Sequence, residues 1–124
     1  MRRVRVVLVE DNEVFREALE LLLGMRDDVE VVASVGDGAA AVAAAVEHRP
    51  DVVLVDYRMP AVDGLEATTQ LLARMPGLAI VALTASADEG QREALLEAGA
   101  VTCLRKDQEL EEIVAAIRQA APVE

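Results

Sequence analysis

Five side chains of this 124-residue sequence are of the types needed to bind a hard cation and to handle a phosphoryl group. Each stands at the end of an aliphatic run. VVLV runs into Glu10 and Asp11, DVVLV into Asp56, LAIVAL into Thr84 and VTCLR into Lys106. Adjacent carboxylates repel, and packing them without a counter-charge drives one to hold a proton. Glu10 and Asp11 are tolerable together if a hard cation sits between them and Asp56. Mg2+ prefers oxygen ligands, keeps several waters, and uses one or two carboxylates with a phosphate. A carboxylate is also a nucleophile and forms an aspartyl-phosphate. A phosphoryl group in transfer needs its charge matched by a metal, a cation and hydrogen-bond donors. Lys106 and Thr84 are the right types. Lys106 is the only lysine beside eleven arginines, and a compact ammonium is not exchangeable with a planar guanidinium in a tight phosphate pocket.

These residues gather only if the runs are neighbouring strands. Strands are expected over Val4–Val9, Val29–Val35, Val52–Val55, Leu78–Leu83 and Ala100–Leu104. The runs are near-continuous and do not alternate, the pattern of strands covered on both faces of a parallel sheet. Helical stripes lie between them. Phe15, Ala18, Leu19, Leu22 and Leu23 form one, stopped at Gly24; Ala39, Val42, Ala43 and Val46 form a second. Leu65, Thr69 and Leu72 give a weaker stripe ended by Pro76 and Gly77. Gln91, Ala94, Leu95 and Ala98 follow, closed by Gly99, and Leu110, Ile113, Val114, Ile117 and Ala121 make the clearest stripe. Asp37, Ser86 or Asp88, and Asp107 stand where helix N-caps are expected. Five βα units in a row predict a doubly wound α/β fold with right-handed crossovers. In such a sheet ligands bind beyond the carboxyl ends of the strands, and that is where the five polar residues fall. The second strand ends in Gly36 and Asp37.

The remaining composition narrows the function. The length suits one domain, and 53% apolar residues with 2% aromatics predict an aliphatic core. A net charge of -11 disfavours direct nucleic-acid binding and suits a metal cation or a basic protein face. One cysteine, Cys103, excludes an intramolecular disulfide. The short apolar run after the N-terminal arginines is not a signal peptide, and no stretch approaches a membrane span. A cytoplasmic single domain is expected.

The stretches VLVEDN, DVVLVDYRMPAVDG, ALTA and EAGAVTCLRKD, in that order and each at a strand end, resemble the receiver domain of bacterial two-component response regulators. The likeness covers essentially the whole chain and is nearest the subfamily with a C-terminal helix-turn-helix of the LuxR or NarL type. It implies a flavodoxin-like (CheY-like) fold, with five helices around a five-stranded parallel sheet in the order 2-1-3-4-5. It implies that Asp56 accepts a phosphoryl group from a sensor histidine kinase's phosphohistidine. Asp11 and Asp56 would ligate Mg2+ directly, Glu10 through water, and Arg58 through its backbone carbonyl. Thr84 would be the switch hydroxyl and Lys106 the phosphoryl contact. Met59 and Pro60 would shape the loop after the acceptor, Gly64 would allow its tight turn, and Arg58 and Ser86 would tune phosphate lifetime. Residues 1–121 would be the receiver domain and 122–124 a tail or the start of a linker. The implied protein is a kinase substrate more than an enzyme, assists its own phosphorylation and dephosphorylation, and forms a homodimer on phosphorylation. It would control transcription through a DNA-binding domain that these residues do not include.

Three positions depart from the family pattern. Cys103 stands where an aromatic switch residue is frequent, Thr102 where glycine is frequent, and Asp107 where proline follows the lysine. The loss of the aromatic motivates an alternative, a phosphorylation-independent protein-interaction module of the same fold. An aspartate-nucleophile phosphatase would want a second acid two residues after Asp56, where Arg58 stands, and a flavin protein would want more aromatics than Phe15 and Tyr57. Other residues have ordinary readings: His48 as a helix C-terminal residue, Cys103 as a buried small hydrophobe, Tyr57 as loop packing, and Arg2, Arg3 and Arg5 as an exposed edge.

Overall fold

A computed structural model describes residues 3–85 and 88–121. The elements alternate along the chain: β1 (Val4–Val9), α1 (Glu13–Gly24), β2 (Val29–Val35), α2 (Gly38–His48), β3 (Val52–Asp56), α3 (Gly64–Arg74), β4 (Ala79–Thr84), α4 (Glu89–Ala98), β5 (Thr102–Arg105) and α5 (Leu110–Ala120). The strands form one sheet in the order β2-β1-β3-β4-β5, with every pair parallel. This is the expected doubly wound architecture. β4 and β5 begin later than the apolar runs suggest, because Leu78 and Ala100 belong to the turns that lead into them.

Alternation along each strand sorts the core into two layers. Val7, Val9, Val53, Val55, Ile80 and Ala82 pack on one face with Ala41 and Ala45 of α2, Ala67 and Leu71 of α3, and Leu95 of α4. Val6, Leu8, Val52, Leu54, Val81 and Leu83 pack on the other with Leu19 and Leu23 of α1 and Ile113, Val114 and Ile117 of α5. Both faces are covered, which is why the central strands read as unbroken apolar runs. β2, at the edge, keeps only Val29 fully buried.

Three helical faces differ from their stripes. In α1 only Leu19 and Leu23 are buried, while Leu22 is 44% exposed and Ala18 faces solvent. In α2 the buried residues are Gly38, Ala41 and Ala45, not Ala39, Ala43 and Val46. That helix is so uniformly small and apolar that periodicity does not choose a face. In α3 the buried set is Gly64, Ala67, Thr68 and Leu71, one position from the Leu65, Thr69, Leu72 stripe. Thr68 turns inward because its hydroxyl donates to the Gly64 carbonyl at 2.7 Å.

Caps fix where the helices start. The side chains of Asn12, Asp37, Asp63 and Asp88 accept from backbone N–H groups of α1, α2, α3 and α4, satisfying donors the helix itself leaves open. The expected cap Asp107 is instead paired with Arg105 at 2.7 Å. Glu109 is the N-cap of α5, and its N–H donates to the Glu112 carboxylate at 3.3 Å. The alternative cap Ser86 lies outside the described residues. Gly99 ends α4 at φ 115, where a side chain would be strained.

Candidate metal and phosphoryl centre

The same alternation aims the polar residues. Glu10 continues the side of Val6 and Leu8, Asp56 that of Val52 and Leu54, and Lys106 that of Leu104, all toward α1 and α5. Parallel registers bring β1 and β3 side by side, Val9 opposite Val55, so Glu10 and Asp56 emerge together. β4 is linked to the segment after β5 by the Lys106 N–H, which donates to the Thr84 carbonyl at 2.8 Å. Glu10 is completely buried and Asp56 is 2% exposed. Lys106 Nζ lies 2.8 Å from Glu10 Oε1 and 3.2 Å from Asp56 Oδ2. Its ammonium also sits 4.7 Å from the centre of the Phe15 ring, a cation–π contact from α1.

The acids form a tight set. One carboxylate oxygen each from Glu10, Asp11 and Asp56 lie within 4.8 Å of one another, with Asp11 at the exposed side. Glu10 Oε2 accepts the Asn12 N–H at 3.0 Å. Among the described residues, Oε1 is held by the Lys106 ammonium. Burial first, and then the Glu10 charge, push the Asp56 carboxyl up to about 7, although Lys106 pulls the other way. Burial works against the charge on Lys106 but is outweighed by Glu10 and Asp56, so its pKa is raised. A folded pocket whose Asp56 carboxyl is pushed up to about 7 is short of positive charge. Three oxygen donors with that deficit fit a divalent cation of the hard, oxygen-preferring kind.

Gly64 lets the backbone close around the pocket. A β-carbon on Gly64 would lie 2.5 Å from the Asp56 carbonyl oxygen and 2.6 Å from Tyr57 Cα. Close approach, not a turn conformation, is what this position requires; its N–H donates to the Tyr57 carbonyl at 2.7 Å. Arg58 is exposed and shares a surface cleft with Asp11, Tyr57, Met59, Pro60, Asp63 and Gln91. Met59 is buried against the α2–α3–α4 side of the core, and Tyr57 packs partly on the same cluster, as loop packing predicts.

Thr84 stands apart from this set. It is 4% exposed, and its place in β4 continues Ile80 and Ala82 toward α2, α3 and α4. There it lines a second cleft with Asp88, Glu89, Arg92, Cys103, Leu104 and Arg105. Cys103 is a buried thiol, as expected, with its pKa pushed up by burial. Arg92 Nη1 donates to the Cys103 carbonyl at 2.8 Å, tying α4 to β5. His48 is the last residue of α2, as expected.

Sequence reasoning did not assign two contacts. Arg16 Nη1 donates to the Glu10 carbonyl at 2.9 Å, and Phe15 underlies Lys106. Both lie in the first turns of α1, directly after Glu10 and Asp11, so proximity in sequence was the available signal.

Comparison with known proteins agrees with this geometry. The family model described as the response regulator receiver domain matches residues 6–118. The transcriptional regulatory protein LiaR of Bacillus subtilis is 38% identical over 118 residues, 95% of this chain and 56% of its own length. The response regulator GacA of Pseudomonas viridiflava is 37% identical over 93% of this chain and 54% of its own. The chain thus spans about half the length of the curated relatives it matches. Among solved structures, the signal receiver domain of NarL from Mycobacterium tuberculosis superposes with a TM-score of 0.90 at 34% identity, covering 96% of both chains. Fold, strand order and sequence therefore converge: the chain belongs to the response regulator receiver domain family.

Proposed function

We propose that the chain is a phosphorylation-dependent signalling module whose acceptor is Asp56. The observation that carries the reading is the cluster itself: buried Asp56 within carboxylate reach of Glu10 and Asp11, with Lys106 bridging Asp56 and Glu10. Asp11 and Asp56 would hold Mg2+ directly, Glu10 through water, and Arg58 through its carbonyl. Bound there, the metal would supply the positive charge that draws phosphoryl oxygens toward Asp56.

The donor is the phosphohistidine of a sensor histidine kinase. A carboxylate oxygen of Asp56 bonds to phosphorus as the P–N bond breaks, and the electron pair leaves on the imidazole. Lys106 stays beside the new anion, and the Thr84 hydroxyl donates to it. Attack by water at the same phosphorus returns Asp56, so the chain assists both its own phosphorylation and its dephosphorylation without being an enzyme toward another substrate. Residues 1–121 form the receiver unit, with 122–124 a tail or the start of a linker. The longer relatives support a transcriptional output through a DNA-binding domain outside this chain, in the cytoplasm, with homodimer formation on phosphorylation. Among the described residues no helix is long and apolar enough to cross a membrane. The phosphorylation-independent alternative finds no support: acids and lysine are assembled despite the small residue at Cys103.

Intact mass after incubation with acetyl phosphate and Mg2+ tests this. One phosphoryl adduct is expected on the wild type, lost with EDTA and in Asp56→Asn. A stoichiometric adduct on Asp56→Asn would overturn the assignment.

A further inference from the structure

We propose that Gly38, the first residue of α2, is a positioning residue for the metal site, seating the loop between β3 and α3 so that the Arg58 carbonyl is in place. This rests on the Mg2+ reading above.

The loop is strained. The Val62 N–H donates to the Pro60 carbonyl at 2.8 Å, closing a three-residue turn about Ala61, which has φ 65. A residue with a β-carbon is costly in that conformation, and such turns persist where surrounding structure holds them. Two contacts hold this one. At its far end Gly64 lies against the Asp56 backbone. At its middle the loop rests on α2: a β-carbon on Gly38 would come 2.5 Å from the Val62 carbonyl oxygen and 2.8 Å from Val62 Cγ1. Gly38 is buried, and its helix is anchored by Asp37, which accepts from Ala40 N at 2.7 Å. The loop is thus wedged between a fixed helix start and the end of β3. It leaves β3 through Arg58, two residues after Asp56.

A methyl at Gly38 forces Val62 outward by several tenths of an ångström at least, since the approach is to backbone oxygen. Mg2+ demands near-ideal octahedral geometry at about 2.1 Å, whereas Ca2+ accepts longer, irregular coordination. A displaced carbonyl therefore harms Mg2+ more than Ca2+. Loss of global stability alone would not change that preference.

The test is titration of each metal into the metal-free chain, followed through Tyr57, the only tyrosine in a chain without tryptophan, which borders the cleft. Gly38→Ala is expected to bind Mg2+ roughly tenfold more weakly, as loss of a supporting contact does at metal sites, with a smaller change for Ca2+ that a lowered urea midpoint alone would not produce. Gly24→Ala, where a β-carbon meets nothing within 4 Å, is expected to bind like the wild type. Val62→Ala, which loosens the seat without adding bulk, is expected to shift Mg2+ affinity in the same direction. It decides the matter if Gly38→Ala does not fold. Wild-type Mg2+ affinity in Gly38→Ala, or in Val62→Ala where the first variant fails to fold, would overturn the role of Gly38. Absence of Mg2+ binding by the wild type would instead overturn the metal reading beneath it.

Discussion

Replacing Asp56 by asparagine should stabilise the metal-free chain, and the gain should depend on pH. Asparagine keeps the volume and carries no charge. Asp56 is 2% exposed, and burial together with Glu10 pushes its carboxyl from 3.8 to about 7. A raised folded-state value means the fold favours the protonated form. The stability gained by holding that proton is complete below 3.8 and lost as pH rises through about 7. The interval corresponds to roughly 4 kcal/mol above pH 8. Relaxation of Lys106, and water entering beside exposed Asp11, reduce this, and about 2 kcal/mol is the expected gain. Lys106 keeps a partner in the variant because Glu10 remains 2.8 Å away.

Urea unfolding of both proteins in EDTA, read by circular dichroism from pH 4 to pH 8.5, measures the difference. The two curves should nearly meet at the acid end and separate through neutrality, Asp56→Asn above. Mg2+ should then raise the wild type by about 1.4 kcal/mol at ten times its dissociation constant, and raise the variant less. A variant no more stable than the wild type at pH 8, or a gap independent of pH, would refute the idea that Asp56 is held against its charge.

Three further outcomes follow from named contacts. Lys106→Met strips the paired cation from buried Glu10 and Asp56 and should cost roughly 3 kcal/mol in metal-free urea unfolding, partly recovered by Mg2+. Gly64→Ala places a β-carbon 2.5 Å from the Asp56 carbonyl oxygen and should lower stability by roughly 2 kcal/mol despite better helix propensity; Gly77→Ala, where nothing lies within 4 Å, is the control. Arg26→Ala removes the hydrogen bond that holds the Asp28 carboxyl below 3.8. That contribution is present above 3.8 and lost as pH falls through the lower folded value, so urea midpoints of variant and wild type should differ at pH 7 and converge in acid.

The sequence revealed the sheet because the strands are covered on both faces and therefore read as apolar runs, and because each run ends in a polar residue of unmistakable type. Asp56 and Lys106 were legible for that reason. Helix faces were less so. In α2, alanine, glycine and valine follow one another so closely that 3.6-residue periodicity has no polar phase to lock onto. Its true face is set by Gly38, whose lack of a side chain is what the Val62 backbone requires. Asp107 misled as a cap because an acid just before a helix pairs equally well with Arg105. Contacts that depend on rotamer and tertiary approach, such as Phe15 under Lys106, have no local pattern at all.

The alternation of the strands also divides the polar residues of the centre between the two faces of the sheet. Glu10, Asp56 and Lys106 share the face of α1 and α5, while Thr84 and Cys103 share the face of α4. A phosphoryl group on Asp56 adds negative charge to a pocket already short of positive charge. On the proposed reading the added charge needs donors beyond Lys106, and Thr84, at the end of the adjacent strand, would be one. Drawing Thr84 toward Asp56 would pull it away from the cleft it shares with Cys103 and Arg92. An aromatic side chain at position 103 would follow such a movement by filling the space. Cysteine is too small to do so. What joins α4 to β5 here is the Arg92 guanidinium on the Cys103 carbonyl, a bond to backbone that is indifferent to side-chain size. On the proposed reading, a switch through Thr84 would be carried by strand backbone and Arg92, where a bulkier residue at position 103 would use packing.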